Sequence, residues 1–203
     1  MTSMTRLALA IVLLSSCSNF NSSIDYGYFR LFYEGFRSNE IIVTDEVINS
    51  IPYSFVRIKQ ASREAIFVLS SIDNELQTWI GPNNEKIFTF KGLIIETNGL
   101  NKDVAFNRSY LLEIYRNFPN GNFVLPISFF NPNLINTTTN FEIFSKEDKN
   151  CPDRYIEYKR TIPVLKSENQ FKFCFDERGN INWTKQRVHE LDKEMLLEFY
   201  YKY

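Results

Sequence analysis

The spacing of apolar residues divides the chain into a helical front and a long β-patterned remainder. An unbroken apolar run from Leu7 to Leu14 comes after Arg6 and ends at Ser15-Ser16-Cys17. It is far shorter than the ~20 residues a membrane-spanning helix needs, so it reads as the core of a removable secretory leader over residues 1–16. Residues 18–23 are a short polar tether. Asp25 can cap the next segment, in which Phe29, Phe32, Tyr33 and Phe36 share one helical face and predict a helix over 26–36. Thr44 with Asp45 and Glu46 behind it opens a second, shorter helix over 44–49.

From Ile51 the period falls to two. Runs at 54–60, 64–70, 76–80, 86–90 and 93–97 are rich in β-branched and aromatic residues, with turns at 61–63, Gly81-Pro82-Asn83-Asn84 and Lys91-Gly92 between them. Residues 100–136 read as irregular: they are rich in Asn, carry Pro119, Pro126 and Pro132, and suggest a short helix only at 109–116. Strand patterning resumes at 140–145, 155–164, 170–175 and 182–186, with a Gly179-Asn180 turn before the last of these. The aromatic ending of 194–203 favours a final strand over a helix. The expectation is a mainly all-β chain: an antiparallel meander of about ten strands, barrel or sandwich, with one or two short N-terminal helices. Residues 24–203 form one domain.

Charge narrows the function classes. Arg6 is the one charged residue in the leader, so the mature chain sets the rest of 23 basic residues against 24 acidic ones. That balance offers no basic face for nucleic acid. The 19 Phe, 11 Tyr and 2 Trp are more aromatic surface than a chain of this size can leave exposed, so most must form the core.

Leu14-Ser15-Ser16-Cys17 resembles the lipobox of bacterial lipoproteins. The resemblance implies cleavage before Cys17, a covalent lipid on its sulfur, and stable anchoring through several acyl chains. Ser18 in place of Asp after the cysteine implies outer-membrane sorting, with the domain facing the periplasm. Once Cys17 carries lipid, Cys151 and Cys174 remain as an even pair, which in an oxidising compartment predicts a disulfide. The competing arrangement is a metal site with His189 and Asp153 or Asp176, but no paired-ligand spacing supports it.

Further along, Ile51-Pro52-Tyr53-Ser54, Arg57, the Ala65-to-Leu69 strand, Trp79, the Lys91-Gly92 hairpin and Thr97-Asn98-Gly99-Leu100 occur in one order. That series resembles the YjbF/GfcB family of lipoproteins, associated with group 4 capsule and exopolysaccharide production. The likeness runs from Cys17 to about Leu100 and continues in outline through Cys174, Gly179 and Trp183. Leu93-Ile94 departs from it, because the family often has Arg after the turn glycine. The resemblance implies a non-catalytic part in polysaccharide secretion at the outer membrane, beside a periplasmic protein and an outer-membrane β-barrel. It transfers no catalytic residue.

The residues themselves offer little enzyme chemistry. His189 is the only histidine, and no G-x-S-x-G elbow, phosphate loop or dinucleotide fingerprint is present. Asp73, Glu75, Glu96 and Glu142 are the carboxylates that two-acid glycoside chemistry would draw on, and all four sit at ordinary turn and strand positions. Trp79 and Trp183 could stack on sugar rings, although Trp79 lies mid-strand, where core packing is the commoner use. No metal and no cofactor beyond the Cys17 lipid is expected. A lipid carrier with an apolar cavity, or a polysaccharide-modifying enzyme, are the other classes that the pattern admits.

Overall fold

The structure, a computed structural model, describes residues 44–202. The leader, Cys17, the tether and the helix expected at 26–36 lie outside the described residues. The chain opens with α1 (Asp45–Ser50), acidic in its first turn, and then enters twelve strands. They are β1 (Phe55–Gln60), β2 (Arg63–Asp73), β3 (Leu76–Ile80), β4 (Lys86–Phe90), β5 (Leu93–Asn98) and β6 (Val104–Phe106). After a 3-10 turn at Arg108–Tyr110 and α2 (Leu111–Asn117) come β7 (Phe123–Phe129), β8 (Leu134–Ser145), β9 (Arg154–Ile162), β10 (Ser167–Phe175), β11 (Ile181–Gln186) and β12 (Met195–Tyr200). Each strand pairs antiparallel with its sequence neighbours, and β1 pairs with β12 to close the barrel.

The all-β meander is borne out, as a barrel. Two details differ from expectation. There are twelve strands, and the segment 100–136 is not irregular on either side of its expected helix, which is α2: it also holds β6, β7 and the start of β8. Phe123, Leu125, Ile127 and Phe129 alternate inward along β7 in a clean period of two, with Pro126 between them. Pro126 cannot donate to a ladder, which in the sequence alone argues against a central strand.

Cross-strand partners share a face, so the register sorts inside from outside. Val56 faces Phe67 and Phe199, and Leu69 faces Trp79, all in the core. Arg57 faces Glu198 and Lys59 faces Glu64 on the outer wall, where both couples form ion pairs. Apolar inside and charged outside is the reverse of a barrel that meets lipid with its wall. The lumen is filled. Phe118, Phe123, Phe141, Tyr158, Phe171 and Phe173 form a chain of ring contacts through its middle, with centroids 4.6 to 6.3 Å apart. Opposite walls also touch: Gln186 on β11 accepts from the Ile94 amide and donates to the Gly92 carbonyl at 3.1 and 2.6 Å.

Strand direction places the connections at two ends. The turns Lys91-Gly92 and Asn74-Glu75, the connection 107–122 and the approach to β1 share one end. There α2 crosses the mouth, burying Ile114 and reaching the β2–β3 turn through the Tyr115 hydroxyl, which donates to the Asn74 carbonyl. The connections 99–103, 130–133, 163–166 and 187–194 share the other end.

Candidate functional site

The second mouth holds the most concentrated polar chemistry among the described residues. Its origin is one charged residue in an apolar register. Ile156, Tyr158, Arg160 and Ile162 all point inward from β9, and Arg160 is 0% exposed. A guanidinium so placed must be paired, since an isolated buried charge is prohibitively costly. Its partner comes from the β11–β12 connection. The Glu190 carboxylate takes an ion pair from Arg160 Nη2, a hydrogen bond from Ser167 Oγ, and bonds from Asn169 Nδ2 to both oxygens at 3.2 and 3.0 Å. Arg160 Nη1 donates to the Val188 carbonyl at 3.0 Å, and the guanidinium lies over the Phe171 ring at 4.7 Å. Burial pulls the Arg160 pKa down to about 10, against the raising effect of Glu190, so it remains a cation at neutral pH.

The connection that delivers Glu190 closes this mouth as α2 closes the other. Val188 and His189 are buried, and the His189 ring meets Phe129 edge-on at 5.2 Å. Lys102, from the β5–β6 loop, donates to the Leu191 carbonyl and pairs with Asp192 at 3.0 Å, while Gln60 donates to the Lys193 carbonyl. The segment is therefore tied to β1, β7, β9 and the β5–β6 loop at once. His189 Nδ1 accepts from the Leu191 amide, which leaves the proton on Nε2. Burial lowers the His189 pKa, with Lys102 and Arg160 adding to that and Asp192 and Glu190 opposing it. Three buried polar atoms at this end have no hydrogen-bond partner among the described residues: Thr139 Oγ1, Arg160 Nε and His189 Nε2.

The residues singled out from the sequence fall elsewhere. Cys151 and Cys174 form the expected disulfide on the outer wall of β10, at the α2 end, with Tyr155 and Trp183 flanking Cys174 in register. Their sulfurs being spent on each other, the alternative metal site with the distant His189 does not form. Trp79 is a correction: it is 0% exposed and its indole N–H donates to Thr89 Oγ1 at 2.8 Å, so it has no face for a sugar. Trp183 is half-buried beside the disulfide. The four carboxylates are spread over β2, the β2–β3 turn, β5 and β8, with Glu75 paired to Lys91 and Glu96 to Arg108. Gly99 has a positive φ of 85°, and Asp103 gathers the Thr97 hydroxyl and the Gly99 and Leu100 amides around that turn.

Sequence reasoning passed over Arg160, Ser167, Asn169 and Glu190. One signal was available: an arginine at an inward position of a strand whose other inward residues are apolar demands a buried acid.

Comparison with known proteins adds a family match over part of the chain. The family model for the group 4 capsule polysaccharide lipoprotein gfcB, YjbF, matches residues 27–109. Among solved structures, the hypothetical lipoprotein YmcC from Escherichia coli K12 superposes with a TM-score of 0.66 at 18% identity, covering 90% of this chain and 97% of its own. No curated protein matches. The resemblance drawn from the order of motifs is therefore borne out: residues 27–109 carry the signature of the YjbF group 4 capsule polysaccharide lipoproteins, in a chain with the fold of YmcC.

Proposed function

We propose that this chain is an outer-membrane lipoprotein, anchored through lipid on Cys17 with its barrel in the periplasm. In this reading it is a non-catalytic accessory component in the secretion and assembly of capsule or exopolysaccharide. The family match over residues 27–109 carries the reading. Two physical features support it. The Cys151–Cys174 disulfide suits an oxidising compartment outside the cytosol. The charged outer wall suits a barrel bathed in water and available to protein partners, such as the periplasmic and outer-membrane β-barrel proteins of an export assembly. A carrier of lipid would need an open apolar lumen, and here bulky aromatic side chains and the Gln186 cross-link occupy that space.

The test compares a strain lacking the gene with one carrying only Cys17→Ser. Export predicts that deletion strips polymer from the cell surface while polymer accumulates inside. The Cys17→Ser strain should show the same defect to the extent that anchoring is part of the task. Unchanged amount and composition of surface polymer in the deletion strain refutes the reading.

A further inference from the structure

The groups that hold the Glu190 carboxylate belong to the barrel wall, not to the segment that carries Glu190. Asn169 on β10 is the register partner of Arg160 on β9, and Ser167 stands two residues from Asn169, opposite Ile162. Two paired strands therefore fix the three donors relative to one another, and the Phe171 ring lies under the guanidinium. Arg160 is 0% exposed, whereas the Glu190 side chain retains 13% of its surface and reaches the donors from the solvent side. The arrangement separates a receptor fixed on the sheet from a carboxylate carried by a connection.

The mouth is also supplied with more donors than its own carboxylate uses. Arg160 Nε and His189 Nε2 both carry hydrogens with no acceptor among the described residues, and the Thr139 hydroxyl is likewise unpaired. Buried donors left this way are costly, and they fit a ligand rich in oxygen acceptors. Around the mouth Phe130, Val164, Leu165 and Leu191 are exposed. Such apolar and aromatic surface suits the C–H face of a sugar ring.

We propose that Arg160, Ser167 and Asn169 form a receptor for a carboxylate-bearing sugar residue, and that Glu190 is an internal carboxylate which occupies it until such a residue displaces it. The inference rests on the polysaccharide reading and gives it a ligand class, an acidic polymer with uronic acid or similar units.

The test is titration of the purified mature lipoprotein in detergent with trigalacturonate and, in parallel, with a neutral galactose trisaccharide. The native chain should bind the acidic trimer saturably and prefer it to the neutral one. Removing the internal competitor in Glu190→Ala should tighten binding by about tenfold or more, because the receptor no longer spends most of its time occupied. Adding Asn169→Ala to that variant should undo much of the gain. Glu190→Gln, which keeps the shape and a hydrogen-bond acceptor, should shift affinity in the same direction and serves if the alanine variant does not fold. No binding by the native chain, no tightening in a folded Glu190 variant, or equal affinity for the neutral trimer overturns the receptor. Loss of the receptor with an intact export defect in the deletion strain leaves the function standing; absence of that defect removes the function itself.

Discussion

Replacing Cys151 and Cys174 together by alanine should cost this barrel about 3 kcal/mol. The bridge joins residues 23 apart in sequence. In the chain-entropy account a closed loop of that size removes roughly 3 kcal/mol of freedom from the unfolded chain. Both sulfurs are also buried, with Tyr155 and Trp183 around them, so truncation forfeits contacts on top of the cross-link. For a domain of this length each kcal/mol moves the melting temperature by about 2–4 °C, which predicts a fall of about 6–12 °C. Thermal unfolding of the oxidised native chain and the double variant, followed by circular dichroism at neutral pH, measures it. The native chain in excess reductant should move in the same direction. A difference under about 2 °C would refute the reasoning, because the unfolded chain would then gain little freedom from losing the bridge. The magnitude bears on function as well. A domain stability of only about 5–15 kcal/mol is typical, so a chain kept in the reducing cytosol would lack a substantial part of it.

Other expectations rest on single positions. Gly92→Ala should destabilise by about 2–5 kcal/mol: its φ is +81°, and a Cβ would lie 2.6 Å from Thr184 Cγ2 and 2.7 Å from Ile181 Cγ1 on the facing wall. Gly179→Ala shares the positive φ but meets nothing within 4 Å, so urea titration of the pair should show the smaller loss, about 1–2 kcal/mol, for Gly179. Trp79→Ala should cost about 3–5 kcal/mol in the same assay, while leaving any saccharide affinity of the folded fraction unchanged. Burial lowers the His189 pKa in the folded state, so the unfolded chain takes up the proton first as pH falls. That contribution to stability is complete above the ordinary histidine value near about 6.5 and is lost below it, down through the lowered folded value. His189→Phe should flatten this part of the stability-against-pH curve, and an unaltered slope would show that His189 is not its source.

The parts of the fold that sequence made legible are those where local chemistry and lumen packing agree. The Lys91-Gly92 turn has positive φ at both residues, as a two-residue hairpin demands, and the runs on either side, Lys86–Phe90 and Leu93–Asn98, are rich in β-branched and aromatic residues. The stretch from 100 to 139 hid because the two levels conflict there. Thr137 and Thr139 point into the lumen from β8, so the inward face of that strand reads as polar, and Pro126 interrupts the ladder pattern of β7. The mouth cluster hid for a different reason. Arg160 and Glu190 stand 30 positions apart, and only the pairing of β9 with β10 and the folding back of 187–194 bring them together with Ser167 and Asn169. No spacing rule on a single chain encodes that meeting.

The barrel also separates what the family signature covers from what it does not. Residues 27–109 include β1 to β6, consecutive strands of one side of the wall. They cannot close by themselves, because β1 completes its ladder on β12 and β6 on β7, and Gln186 must reach across to Gly92 and Ile94. A chain that keeps this half must therefore keep a partner half of matching strand number and inward bulk, whatever its sequence. Arg160, Ser167, Asn169 and Glu190 all lie in that partner half, beyond the matched residues. The matched half, with its turns at Gly92 and Gly99, supplies one side of the scaffold. The receptor proposed at the Glu190 mouth therefore stands wholly outside the matched residues, so its test is independent of the features those residues share with the family model.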